Sequence, residues 1–221
     1  MSPDPGPSPQ RTPVSAAGLL ERFPVLHPPS STAGAAVTIV VRDGATEVEA
    51  LLIERAVNPE DPASGDVALP GGRVDESDGS LASTALRELR EEVGLGPADL
   101  AGPLHFVGAV PAHRFGLHVG VFAGELSAKA GRPTVGSPDE VATIFWLPRG
   151  AVGESRLVNR EIDQEPRRIL ATVHEGHVVW GFTRRVLRDF FGFPSEDRPD
   201  GPVLGTELGP GRHPDPSAGP G

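Results

Sequence analysis

The chain has 221 residues, enough for one domain with a real core, and a formal charge of −10 from 30 acidic and 20 basic side chains. That balance argues against a non-specific nucleic-acid binder, which would carry a basic face. Cysteine is absent, so disulfides, thiol nucleophiles and Cys-ligated zinc are excluded and a cytoplasmic protein is expected.

No apolar stretch approaches the roughly 18 residues that span a bilayer, and no basic-then-apolar leader opens the chain. Neither a membrane nor a nucleic acid is therefore an expected partner. Residues 1–15 and 195–221 are dominated by Pro, Gly, Ser and Asp. Such segments bury too little apolar area to offset the entropy of ordering, so both read as disordered tails around a single domain over 16–194. Ala17, Leu20 and Phe23 recur at helical spacing and predict a short helix. Val37 to Val41, a β-branched run, leads to the turn dipeptide Asp43-Gly44, and Val48 to Ile53 resumes as a second strand, together a hairpin. Asp66 to Leu69 reads as a short strand entering Gly71-Gly72.

From Ser80 to Val93, Leu81, Ala85, Leu86, Leu89 and Val93 form an apolar stripe, which predicts a helix ended by Gly94. Leu104 to Val110, Leu117 to Leu126 and Val141 to Leu147 read as strands, the last stopped by Pro148. Ile169 to Val173 and His177 to Trp180 flank Glu175-Gly176 as a hairpin, and Thr183 to Phe191 closes the fold as a helix. Several strands with one helix in the middle and one at the end indicate an α+β or mixed α/β fold.

The chemistry concentrates between Leu69 and Leu95. At about 100° per residue, Glu88, Glu91 and Glu92 share one sector of the predicted helix. Like charges at this spacing destabilise a helix, and a cation held among them removes that cost. Hard ions such as Mg²⁺ take oxygen ligands and commonly share them with substrate phosphates. Glu88 and Glu92, four apart, are the best pair for a shared cation. Gly71 and Gly72 lack Cβ atoms, so their backbone can approach a metal or phosphate closely. Arg87 is placed to orient a carboxylate through charge-assisted hydrogen bonds. The competing reading of such a string is a solvated helix face laced with surface ion pairs.

The segment resembles the box of the Nudix hydrolases: Gly, five residues, Glu, seven residues, Arg-Glu, an aliphatic, any residue, Glu-Glu, any residue, Gly, an aliphatic. Gly72, Arg87-Glu88, Leu89, Glu91-Glu92, Gly94 and Leu95 match; Asp78 replaces the upstream Glu, and the gap from Asp78 to Arg87 is one residue longer than the pattern. Pro70-Gly71-Gly72, Asp75, Asp78 and Thr84-Ala85-Leu86-Arg87-Glu88 look like the coenzyme A diphosphatase branch. Leu51-Leu52 with Arg55, Ser64-Gly65-Asp66-Val67, Glu140-Val141 before Trp146, and Trp180-Gly181-Phe182-Thr183 are similar to it more loosely, with Ala56 where Ser is expected and Leu69 where Phe is usual.

The resemblance implies an α/β/α sandwich with a mixed, curved sheet and a loop-helix catalytic segment. It implies hydrolysis of a nucleoside diphosphate linked to another group, with Mg²⁺ or Mn²⁺ as cofactor and a small nucleotide as the partner; a homodimer is left open. Carried onto this chain, Glu88 and Glu92 are metal ligands, Glu91 assists, and a backbone carbonyl at Gly71 or Gly72 completes the shell. Glu140 is a candidate general base from outside the box, its alternative being a solvated loop acid, and Glu91 is the rival base. Arg55, His113 and Arg114 are candidate phosphate or nucleotide contacts, with His118 beside them. Trp180 and Phe182 could stack on a base or simply fill the core, and His174 with His177 makes no convincing metal site.

Three activities remain open. They are hydrolysis of coenzyme A or acyl-coenzyme A to 3′,5′-ADP and a phosphopantetheine, hydrolysis of ADP-ribose, NADH or nucleoside triphosphates, and nucleotide sensing without cleavage. Retention of all three helix glutamates speaks against the last.

Overall fold

The computed structural model describes residues 14–23, 33–59, 63–112, 116–162 and 165–194. The long strands β1 (Ala35–Asp43) and β2 (Val48–Arg55) form the expected hairpin, but they pair only where Val41, Arg42 and Asp43 face Ala50, Glu49 and Val48. Beyond that point they splay. Short β3 (Val67–Ala68) takes the freed edge of β2, and β4 (Gly71–Arg73) takes the freed edge of β1 at Ala35 to Val37. The Pro70-Gly71-Gly72 turn is thereby wedged into the split, with the Thr38 amide donating to the Pro70 carbonyl at 2.8 Å.

The large sheet is completed by β5 (His105–Ala112), β6 (Leu117–Glu125), which runs parallel to β1, and β7 (Val141–Pro148) on the outer edge of β2. It is mixed, as expected. Both its faces are covered. Ile39, Val41, Ala50 and Leu52 point to one side, against α1 (Ala16–Leu20) and α4 (Gly181–Phe191). Val40, Leu51 and Ile53 point to the other, against Leu89 and Val93 of α2 (Leu81–Val93). Double-sided burial explains why these two strands are apolar at nearly every position rather than alternately.

Helix α2 begins where Ser80, in extended geometry, accepts the Ser83 amide at 3.1 Å on its hydroxyl, and it ends at Gly94 in the left-handed conformation (φ 70°). Ser15, assigned to the N-terminal tail from composition, instead caps α1 through its hydroxyl to the Gly18 amide. Residues 1–13 and 195–221 of the expected tails lie outside the described residues.

The structure adds elements that pattern alone missed. A second sheet contains β8 (Arg156–Ile162), β9 (Glu165–His174) and β10 (His177–Trp180), whereas the sequence pointed only to the last hairpin and started β9 late. The sequence of β8, RLVNREI, is mostly exposed and carries no apolar run to announce it. One turn of helix, α3 (Arg149–Gly153), follows Pro148.

Candidate active site

The site lies at the end of the sheet where β1 and β2 part. Gly71 approaches β1 so closely that a Cβ there would sit 2.6 Å from the Val37 Cα, at a φ of +153° that only glycine tolerates. Its amide then donates to the Glu92 Oε2 at 2.8 Å, tying the loop to α2. Gly72 faces the neighbouring carboxylate: a Cβ there would fall 2.6 Å from the Glu88 Cδ. The two glycines form a cradle around the two glutamates that the helix spacing singled out.

The three box glutamates share a helix sector but not an environment. Glu92 is buried at 3% exposure, the Glu88 side chain keeps 13%, and that of Glu91 keeps 50%. Burial pushes the Glu92 carboxyl up to about 8, aided by the charges of Glu88 and Glu140 and opposed by the Gly71 amide and by Arg55. Burial also raises Glu88, with Arg87 pulling the other way and Glu91 and Glu140 adding repulsion.

Arg87 organises the outer half of the cluster. Its guanidinium donates to Asp78 through Nε (3.1 Å) and Nη2 (2.9 Å), to Glu88 Oε1 (2.9 Å), to Glu91 Oε2 (3.0 Å) and to the Arg73 carbonyl (3.0 Å). Asp78, only 4% exposed in its side chain, also accepts from the Thr84 hydroxyl and the Asp75 amide, both at 2.9 Å. These bonds, Arg87 foremost, hold the Asp78 carboxyl well below the usual carboxylate range, and Asp78 in return raises Arg87.

Two further candidates come in from the strand ends. Arg55 ends β2 opposite Val141, next to a bulge, and its charge reaches Glu92. Glu140 precedes β7, its carbonyl accepting from the Ala56 amide at 2.8 Å, and its charge bears on both Glu88 and Glu92. Arg55, Gly71, Gly72, Arg87, Glu88, Glu91, Glu92 and Glu140 therefore gather at one place. His113 and Arg114 lie outside the described residues.

The remaining sequence candidates have other partners. The Trp180 indole donates to Asp66 at 3.0 Å, and Asp66 also takes Arg160 at 2.6 Å. His177 contacts Glu54 at 2.8 Å and stacks on Phe145. His174 lines an open cavity of about 650 Å³ with Glu47, Glu154 and Arg156, none of which belongs to the carboxylate site. Sequence reasoning missed the anchoring roles of Asp78 and Thr84, for which the one-residue gap was the available signal. It also missed Thr134 and Gly136, whose amides donate to the Val93 and Glu92 carbonyls, both at 3.0 Å.

Among the described residues no set of three acidic or histidine side chains closes into a preformed metal cage. The donors nevertheless suit a hard divalent ion: two carboxylates, one buried with its charge opposed, beside two glycines whose missing Cβ atoms let the backbone come close to them. Mg²⁺ normally completes its shell with water and substrate phosphates, so two or three protein carboxylates suffice. Glu88 and Glu92 would hold the ion, with Gly71 or Gly72 supplying a carbonyl.

A NUDIX domain model matches residues 32–173. The chain belongs to the Nudix hydrolases. It is 32% identical over 191 residues to the uncharacterized Nudix hydrolase NudL of Cronobacter sakazakii, covering 81% of this chain and 95% of the relative. It is 34% identical over 143 residues to NudL of Yersinia pestis, covering 62% and 69%. A crystal structure of a NUDIX hydrolase from Alicyclobacillus acidocaldarius shares the fold at 22% identity and TM-score 0.50, over 74% of this chain and 92% of that one. As a Nudix hydrolase the protein acts on small nucleoside diphosphate derivatives, in a family that uses divalent metals such as Mg²⁺ or Mn²⁺. Among the described residues no helix is long and apolar enough to cross a membrane.

Proposed function

We propose that this Nudix hydrolase cleaves the diphosphate of coenzyme A or an acyl-coenzyme A, releasing 3′,5′-ADP and the (acyl-)phosphopantetheine. The observation that carries the metal-dependent chemistry is Glu92, a buried carboxylate repelled by the charge of Glu88, whose ionised form is unfavourable until a cation compensates it. Bound Mg²⁺ or Mn²⁺ would neutralise diphosphate charge and lower the pKa of the attacking water. Arg55 neutralises a phosphate oxygen, and Arg87 keeps Glu88 and Glu91 aimed. Water adds to one phosphorus, the bridging P–O bond breaks, and the bridging oxygen leaves with the other phosphate. The water's proton passes to the Glu140 carboxylate, the base chosen over Glu91 because Glu91 is engaged by Arg87.

The coenzyme A reading is supported by the run Pro70-Gly71-Gly72, Asp75, Asp78 and Thr84 to Glu88. Asp78 and Thr84 are hydrogen-bonded to each other within it. A hydrolysis screen with Mg²⁺ and Mn²⁺ over coenzyme A, acetyl-coenzyme A, ADP-ribose, NADH and nucleoside triphosphates, with products identified by mass spectrometry, tests it. Coenzyme A or its ester is expected to show the highest kcat/KM. Turnover of ADP-ribose far above coenzyme A rejects the substrate while leaving the chemistry. Glu140→Gln is expected to lower kcat about 10²–10⁴-fold, the range of general-base loss.

A further inference from the structure

Gly136 sits in the connection between β6 and β7, outside the box, and packs directly on α2. A Cβ at this position would collide with the Glu91 carbonyl oxygen and lie 3.1 Å from its carbonyl carbon. Those atoms are backbone and cannot swing aside, so only glycine lets the two segments meet. The Gly136 amide uses the contact to donate to the Glu92 carbonyl at 3.0 Å, and the Thr134 amide donates to the Val93 carbonyl at the same distance. Both acceptors belong to the last turn of α2, whose carbonyls have no helical partner and otherwise face water. The Thr134 side chain lies over Gly94, where a Cβ would come within 2.8 Å of its hydroxyl oxygen.

The link from Gly136 to β7 is short and hydrogen-bonded. The Ser137 carbonyl accepts both the Glu140 amide (3.0 Å) and the Val141 amide (2.8 Å), after which β7 begins. On the far side, the Ala56 amide holds the Glu140 carbonyl. The backbone of Glu140 is therefore fixed between the strand that ends in Arg55 and the helix that presents Glu88 and Glu92.

Resting on the reading of Glu140 as base, we infer that Gly136 is a positioning residue for it. The Thr134–Gly136 segment is a strap that sets the distance from the Glu140 carboxylate to the ion-holding carboxylates of α2. Because the strap bonds to the backbone of Glu92 itself, the base and the metal ligand are registered to one another rather than each to the fold separately. Displacing a catalytic group by about 1 Å costs on the order of 10²-fold in rate, so a backbone collision at Gly136 acts on turnover.

The test is a double-mutant cycle of Gly136→Ala and Glu140→Gln at saturating Mg²⁺, on whichever diphosphate the screen shows to be turned over. Gly136→Ala is expected to lower kcat about 10²-fold with KM and the Mg²⁺ activation midpoint little changed. In the Glu140→Gln background it is expected to cost less than about threefold, because residues that act as a unit are not additive. Gly131→Ala, in the same connection but with no atom within 4 Å of its added Cβ, should match the parent. Inserting one glycine after Ser137 leaves both tethers in place and slackens only the link to Glu140; it should lower kcat comparably even if Gly136→Ala does not fold. Additive losses, a parallel shift in Mg²⁺ activation, or normal turnover by the insertion variant overturns the strap and leaves the base standing as long as Glu140→Gln is strongly impaired. Normal turnover by Glu140→Gln overturns the base and the strap together.

Discussion

Arg87 grips Asp78 through two parallel hydrogen bonds, 3.1 Å from Nε and 2.9 Å from Nη2, and the same guanidinium reaches Glu88 and Glu91. An aspartate one carbon shorter than the family's glutamate thus makes the bidentate contact. The Thr84 hydroxyl supports it from the first turn of α2.

Asp78→Ala leaves Arg87 without its main partner. Unfolding in urea should show a loss of roughly 1–3 kcal/mol, the range for an orphaned partly buried polar group, and kcat should fall as Glu88 loses its orientation. Unchanged stability and turnover would show that Asp78 anchors nothing. Its folded-state pKa is depressed, so its stabilising contribution is present above the ordinary carboxylate value of about 3.9 and disappears as pH falls below it. Asp78→Asn should flatten that acid limb of the melting temperature.

Glu92 gives the opposite sign. Its pKa is raised from 4.5 to about 8 by burial, so the folded, metal-free protein holds a proton there that the unfolded chain releases. Stability of the metal-free protein should decline as pH climbs from 4.5 to 8. Adding Mg²⁺ near pH 8 should restore about 2.7 kcal/mol at a concentration of about 100 times Kd. Glu92→Gln should melt higher than the parent at pH 8 without metal, gain nothing from Mg²⁺, and lose activity by orders of magnitude. A Mg²⁺-dependent rise in the melting temperature of that variant would contradict the ligand assignment.

Gly72→Ala inserts a methyl group against the Glu88 carboxylate. Glu88 has to shift to make room, which disturbs its 2.9 Å bond to Arg87, so the expected result is weaker Mg²⁺ activation with a fold unchanged by circular dichroism. Parent-like metal activation would mean that the cradle is not used.

Trp180→Phe discriminates the two roles considered for that ring. Loss of its hydrogen bond to Asp66 should cost about 1 kcal/mol of stability. The KM for the nucleotide should stay where it is; a rise of tenfold or more would return Trp180 to the substrate site.

Much of this protein was legible in one dimension because its signals are local. The α2 stripe, its Ser80 cap and its Gly94 stop are readable from neighbours a few residues apart, and the same spacing named Glu88 and Glu92. Helix spacing alone, however, put Glu88, Glu91 and Glu92 in one sector and said nothing of how deeply each is buried. Their division into buried, half-buried and exposed carboxylates comes from the sheet beneath α2 and from Gly71 arriving from β4. Strand β8 stayed hidden because its edge position demands no apolar run.

By itself the chain's order of residues determined a mixed α/β domain, the family, and a carboxylate-bearing helix behind a double glycine, since each depends on periodicity or on a contiguous motif. Only the tertiary structure decided which carboxylate is costly to ionise, that Asp78 anchors Arg87, and that Glu140 stands within electrostatic reach of Glu88 and Glu92. Burial and through-space charge depend on distances between segments tens of residues apart, and the splayed β1–β2 pair, with the β6–β7 connection hydrogen-bonded to the end of α2, holds those segments together.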